Sequence, residues 1–156
     1  NAIGYGETNL KLFGEILFQI EKGSKKIKLG NLSPKRDYIH TEDISWAVEK
    51  LIDSNSVTKG QFESYNIGTG HKPVSVREVF NLINDVHKGK LILCEDKKRK
   101  RSADQERELL AINIKKLKKT LPNYRPKKIE DLIEKIVLNP GLRVGNNFIE
   151  DIYYKE

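Results

Sequence analysis

Gly30-Asn31-Leu32-Ser33-Pro34-Lys35-Arg36-Asp37-Tyr38-Ile39-His40-Thr41-Glu42-Asp43 is the stretch on which the reading of this chain turns. It follows a short alternating run, Lys26 to Leu29, with Ile27 and Leu29 on one side and Lys26 and Lys28 on the other, the pattern of a half-buried strand. Gly-Asn followed by Ser-Pro is turn chemistry, because Gly30 or Asn31 can take a positive φ and Pro34 fixes its own. Thr41 is a good helix N-cap, with Glu42 and Asp43 in the first turn, where negative charge suits the dipole. Arg36 therefore lies on a braced, extended segment just ahead of a helix start. Its guanidinium is a planar fork of donors that suits an oxyanion. A surface ion pair with Asp37 or Asp43 fits the local sequence equally well.

Working outward, Asn1-Ala2-Ile3-Gly4-Tyr5-Gly6 reads as a strand end running into a glycine loop. Leu10, Phe13, Leu17 and Ile20, with Leu12 and Ile16 beside them, fall at helical spacing, and Gly23 stops that helix. After the arginine loop, Ile44, Ala47, Val48, Leu51 and Ile52 form the stripe of an amphipathic helix, with Trp46 off the stripe and free to cover a neighbour. Asp53 to Gly60 reads as a polar loop. Phe62 to Ile67 is a strand candidate ending in Gly68-Thr69-Gly70. Ser75 with Glu78 three residues on is a capping box, opening a helix whose inward side is Val76, Val79, Phe80 and Ile83. Lys90 to Cys94 is a short strand. Asn113 can cap a helix carrying Ile114, Leu117 and Leu121; Pro122 to Pro126 breaks it; Ile129, Leu132, Ile133, Ile136 and Val137 mark the last clear helix. Asn139-Pro140-Gly141 is a turn.

The chain has 156 residues, of which 37% are hydrophobic, so one domain with a sizeable core is expected. Its net charge of +7 and pI near 9.4 favour an anionic partner: nucleic acid, an acidic surface or a phosphorylated metabolite. A single cysteine, Cys94, excludes an internal disulfide framework, and no apolar run approaches the roughly 18 residues a membrane span needs. A cytoplasmic protein is expected. His40, His71 and His87 have no metal-ligand spacing. The basic run Lys97-Lys98-Arg99-Lys100-Arg101 is compatible with nucleic acid, with a solvated loop, or with a loop giving one arginine to a phosphate. It lacks the interleaved aromatics of a base-stacking platform. Gly68-Thr69-Gly70 could cradle a phosphate, although a tight turn accounts for it more simply. The chain opens on Asn1, inside what reads as an ordered segment, and contains no Met, so it is expected to be the C-terminal part of something longer.

Taken in order, Asn1-x-x-Gly4, Ile27-x-Leu29-Gly30, Arg36-Asp37-Tyr38-Ile39-His40-x-x-Asp43, Tyr65-Asn66-Ile67-Gly68-Thr69-Gly70, Arg101-x-x-Asp104 and Leu121 through Tyr124-Arg125-Pro126 resemble one family. The chain looks like the C-terminal half of the extended short-chain dehydrogenase/reductases that modify nucleotide sugars. The start of the arginine loop leans towards the GDP-mannose dehydratases and GDP-deoxymannose reductases. The resemblance implies an α/β fold: residues 1–138 as the substrate-binding part with the last elements of the Rossmann domain, the N-terminal cofactor-binding half absent, and 139–156 a tail.

The resemblance also assigns roles. Arg36 and Arg101 would bind the diphosphate of a sugar nucleotide, with Arg99 the competitor for the second position. Asp104 would accept from a ribose hydroxyl, Asn1 would contact the sugar or its phosphate, and Ile27 and Leu29 would flank the base. The family's Gly-x-x-Gly-x-x-Gly fingerprint and catalytic Tyr-x-x-x-Lys are missing; Tyr124 and Lys128 have that spacing but straddle Pro126 in the wrong segment. So NAD or NADP is expected in the full-length protein, a homodimer, and neither cofactor binding nor catalysis in this chain alone. A small basic nucleic-acid-binding protein and a non-catalytic sugar-nucleotide module are the alternatives.

Overall fold

The computed structural model describes residues 1–4, 11–54 and 60–138. The expected turn at Asn139-Pro140-Gly141, the 139–156 tail, the glycine loop beyond Gly4 and most of the loop after Asp53 lie outside the described residues. Within them the fold is mixed α/β, as expected. In chain order it runs β1 (Ala2–Ile3), α1 (Leu12–Glu21), β2 (Lys26–Leu29), β3 (Lys35–Arg36), β4 (Ile39–His40), α2 (Thr41–Asp53), β5 (Val74–Ser75), α3 (Val76–Val86), β6 (Ile92–Glu95), β7 (Leu109–Leu110), α4 (Lys115–Thr120) and α5 (Ile129–Leu138). A single 3-10 turn, Lys97–Arg99, follows β6.

The strands form three small sheets. β2 lies parallel to β6, with Ile27 opposite Leu93 and Leu29 opposite Glu95. Its other edge would leave peptide groups bare, a liability for any strand. The Gln19 side chain covers it: the Lys28 N–H donates to Gln19 Oε1 at 2.8 Å and Gln19 Nε2 donates to the Lys28 carbonyl at 3.0 Å. β1 runs parallel to β4. β3, which carries Arg36, is the centre of the third sheet, antiparallel to β5 and parallel to β7.

The main core forms where the periodic runs place it. Phe13, Ile16 and Leu17 of α1, Ile27 and Leu29 of β2, Val79, Phe80 and Ile83 of α3, and Ile129, Leu132, Ile133, Ile136 and Val137 of α5 pack together. A smaller cluster joins Ala47 of α2 to Ile114, Leu117, Leu121 and Tyr124. Trp46 covers this cluster by stacking on Tyr124, ring centroids 5.9 Å apart. α1 ends as expected at Gly23, whose N–H donates to Ile20 while that of Ser24 donates to Gln19, so the last carbonyls are paired. Asn113 accepts from the Lys115 N–H at the start of α4.

Four local expectations are corrected. The N-cap of α2 is His40, not Thr41, because β4 continues to His40 and its Nδ1 accepts from the Glu42 N–H at 3.3 Å. Phe62 to Ile67 forms no strand among the described residues: the segment finds no ladder partner, and Phe62 is 90% exposed. The α2 stripe is covered only in part, with Ala47 buried but Val48 and Ile52 exposed, Ile52 to 74%. Neither Gly30 nor Asn31 takes a positive φ. Gly30 is required instead by close approach, since a Cβ there would collide with the Arg99 carbonyl.

The capping box at α3 is complete: the Glu78 N–H donates to Ser75 Oγ at 3.1 Å, and the Ser75 N–H donates to Glu78 Oε2 at 2.6 Å. Ser75→Ala removes half of it. The expected cost is about 1 kcal/mol, read as roughly fivefold faster amide exchange in the first turn of α3 with the rest of the chain unchanged.

Candidate functional site

Arg36 is placed by backbone pairing on both sides. β5 and β7 flank its strand, and the Lys35 and Asp37 N–H groups donate to the Glu108 and Leu110 carbonyls at 2.7 and 3.2 Å. Its side chain pairs with neither Asp37 nor Asp43. Nη1 donates to the Arg107 carbonyl at 2.7 Å and to the Lys35 carbonyl at 3.0 Å, while Nη2 donates to Glu106 Oε1. The other oxygen of the same carboxylate, Glu106 Oε2, lies 3.8 Å from Arg101 Nη1. Two arginines remote in sequence thus converge on one anion. The Arg36 and Glu106 side chains are 14% and 11% exposed, whereas Arg101 is 69% exposed.

Asn31 sets the position of the second arginine. Its amide clamps the Arg101 backbone, accepting from the N–H at 2.9 Å and donating to the carbonyl at 3.1 Å. On its other side Asn31 lines an open cleft of about 410 Å³ that is walled by Lys35, Arg77, Lys100 and Glu95. Arg99, the competitor, points elsewhere: its Nη1 donates to Glu15 Oε1 at 2.6 Å and its Nε lies 3.6 Å from Asp96. Lys100 pairs with Glu95 at 2.8 Å. Three of the five cations in the basic run therefore have carboxylate partners, and the run is not a bare positive stripe.

The remaining expected positions differ in exposure. Asp104 is exposed. Asn1 is exposed at the edge of β1, where its carbonyl accepts from the Ile39 N–H at 3.1 Å. Ile27 and Leu29 are buried core side chains. Glu106 and Asn31 are the residues that sequence reasoning missed. Glu106 is one of three acids at alternate positions in Asp104-Gln105-Glu106-Arg107-Glu108, and nothing in the local sequence distinguishes it.

Gly68-Thr69-Gly70 holds an anion of its own. Asp37, a buried carboxylate, accepts from the Thr69 N–H at 3.1 Å and from Thr69 Oγ1 at 2.5 Å. Thr69 Oγ1 in turn accepts from the His71 N–H at 3.0 Å. A Cβ on Gly68 would sit 2.6 Å from Asp37 Oδ2, so the close approach admits only glycine. The motif is a turn built round a protein carboxylate. Tyr124 is equally committed, its hydroxyl donating to the Gly68 carbonyl at 3.0 Å. Burial, with Asp43 and Asp37 nearby, pushes its pKa up to about 12. Burial likewise raises Tyr38 to about 12. Among the described residues no group of His, Cys, Asp or Glu gathers as metal ligands would, and no helix is long and apolar enough to cross a membrane.

The model of the family described as GDP-mannose 4,6 dehydratase matches residues 6–136. The chain belongs to that family. No curated protein matches the sequence. Among solved structures, a protein of Burkholderia cenocepacia provisionally named an epimerase superposes with a TM-score of 0.77 at 20% identity, over 93% of this chain and 45% of that one. RMD of Pseudomonas aeruginosa, complexed with NADPH, gives 0.71 at 18% identity over 97% and 47%. UDP-glucose 4-epimerase of Bifidobacterium longum, in complex with NAD+ and UDP, gives 0.70 at 20% identity over 89% and 44%. The fold is thus that of the nucleotide-sugar epimerase/dehydratase type of short-chain dehydrogenase/reductase. The chain spans about half the length of each of these structures.

The His40 cap gives this region a pH dependence. Burial holds the imidazole below its ordinary value, against the raising influence of Glu42 and Asp43 and with the lowering influence of Lys127 and Lys135. The folded state therefore binds the proton less readily than the unfolded one, and protonation also removes the Nδ1 acceptor. The stabilisation is complete above about pH 6.5 and is lost as pH falls through the lowered folded value. Urea titrations followed by Trp46 fluorescence are expected to show weaker α2 at pH 5 than at pH 7.5. His40→Asn, which keeps a capping acceptor, should abolish that difference.

Proposed function

We propose that this chain is the substrate-binding part of an NAD(P)-dependent nucleotide-sugar 4,6-dehydratase, 4-reductase or epimerase, lying C-terminal to a cofactor-binding half. The single observation that most supports this is the convergence of Arg36 and Arg101 on one carboxylate, in a chain belonging to the GDP-mannose 4,6 dehydratase family. Two guanidinium groups neutralise a diphosphate, and each charge-assisted hydrogen bond contributes roughly 1.5–3 kcal/mol. Asp104, exposed and three residues beyond Arg101, accepts from a ribose hydroxyl, and Asn1 meets the sugar end. Ile27 and Leu29, on β2, flank the base. The substrate is a nucleoside-diphosphate sugar, of the GDP-mannose type, and the full-length protein is a homodimeric cytoplasmic enzyme making precursors of cell-surface saccharides.

The remaining half carries NAD or NADP, the glycine fingerprint and the tyrosine that exchanges a proton while hydride moves to or from the nicotinamide. Without it this chain binds no cofactor and does not catalyse. The run from Phe62 to Ile67 completes that half's sheet, and the exposed Val48, Ile52 and Phe62 pack under it. A basic nucleic-acid-binding protein is disfavoured by the carboxylates that neutralise Arg99, Lys100 and Arg101.

Two outcomes are expected. In the full-length protein, titrated with GDP, UDP, CDP and dTDP, one nucleotide binds best. Arg36→Ala and Arg36→Lys both weaken it by about tenfold or more, because lysine keeps the charge but loses the fork. Indifference of binding to Arg36 would remove the proposal. The 156-residue chain alone is expected to bind a hydrophobic dye and associate, since an apolar face and a strand edge lack their cover. A monomeric, dye-silent chain with a sharp cooperative melt would count against the missing half.

A further inference from the structure

Three of the five N–H donors of the Arg36 guanidinium already have protein partners before any ligand arrives. Nη1 is committed to two backbone carbonyls, those of Lys35 and Arg107, which belong to the paired strand β3 and to the chain leading into β7. Those acceptors are fixed by the fold. The Nη2 partner is different: Glu106 is a side chain, with rotatable bonds and a charge of its own, and it is shared with Arg101. Arg101 is mostly exposed, so one end of the bridge already faces solvent. A carboxylate that uses one oxygen on each arginine takes the same two donors that a pyrophosphate would take. Both cannot occupy them, and a diphosphate drawn up beside an unmoved Glu106 would place like charges together in a partly buried site.

We propose that Glu106 is a resident anion of this site, holding Arg36 and Arg101 in place when no ligand is bound and leaving them when a diphosphate binds. The inference rests on the reading of these arginines as diphosphate ligands. Binding is then an exchange of one anion for another. The arginines are preorganised, because Glu106 and the Asn31 clamp keep them together. The affinity is lowered by the cost of displacing the carboxylate. Only a ligand with enough negative charge to satisfy both guanidinium groups at once recovers that cost, so Glu106 filters out weaker anions.

The test uses the full-length protein and inorganic pyrophosphate, titrated calorimetrically. Glu106→Gln keeps the shape and one acceptor but removes the charge. It is expected to bind pyrophosphate about tenfold more tightly than the wild type, the scale of one charge-assisted hydrogen bond no longer broken. The gain should vanish in the double variant with Arg36→Gln. Unchanged or weaker binding by Glu106→Gln, with Arg36→Gln still harmful, overturns the resident anion but leaves the diphosphate reading intact. Equal binding by wild type and Arg36→Gln overturns both. A structure of the wild type with pyrophosphate decides independently of whether the variant folds. The Glu106 carboxylate is expected off both guanidinium groups, and a bridge still in place refutes the exchange.

Discussion

The structure depends on one buried carboxylate, Asp37. Taking a carboxylate out of water is unfavourable by several kcal/mol unless donors replace the lost solvation. Thr69 supplies them from its backbone and its hydroxyl, and His71 fixes that hydroxyl from behind. The demand propagates. Thr69 can reach Asp37 only if residue 68 has no side chain, and the Gly68 carbonyl so positioned accepts from Tyr124, the centre of the smaller core. A turn that looks like an anion cradle is thereby made into a joint between the arginine segment and the α2–α4 cluster.

The same segment fastens a different element at almost every step. Arg36 reaches the chain ahead of β7, and Asp37 the Gly68 turn. Tyr38 meets Phe13 of α1 edge-on, with ring centroids 5.4 Å apart. Ile39 pairs with β1, His40 caps α2, and Asp43 accepts from the Lys127 N–H at 3.0 Å just before α5. Eight residues thus fix the relative positions of elements drawn from the whole chain. Strands of two to four residues suffice because side chains of this segment replace the long ladders that a larger sheet would have.

This division explains what the sequence disclosed. Helices with a continuous apolar stripe were legible, since their periodicity is local and their partners only need to be apolar; α1, α3 and α5 form where the spacing predicts them. The capping box at Ser75 was legible because both its halves lie within four residues. His40 as the N-cap was not, because the preference for Thr41 rests on residue type while the outcome rests on where β4 ends, which the pairing with β1 decides. Phe62 to Ile67 has strand composition but forms no ladder among the described residues, and a strand is a property of two segments. The convergence of Arg36 with Arg101 followed from a family pattern; the residue between them did not, because nothing local separates Glu106 from Asp104 or Glu108. Only the register of β3 against β7, set over some 70 positions of chain, points Glu106 at Arg36.

Both places at which the sequence suggests an anion site are thus occupied by the protein's own carboxylates, and the two differ in kind. Asp37 is enclosed, and its donors belong to a turn whose geometry exists because of it. Removing it would leave a buried N–H and hydroxyl unpaired and would loosen two cores. Glu106 spans two side chains, one of them largely exposed, and the elements that carry them are held by independent bonds: β3 by β5 and β7, Arg101 by Asn31. Its departure would leave the fold intact and two guanidinium groups aimed at a common point. A carboxylate whose surroundings would collapse without it is structural. One whose surroundings stand without it, and are left cationic, meets the condition that the proposed exchange of anions at Arg36 and Arg101 requires.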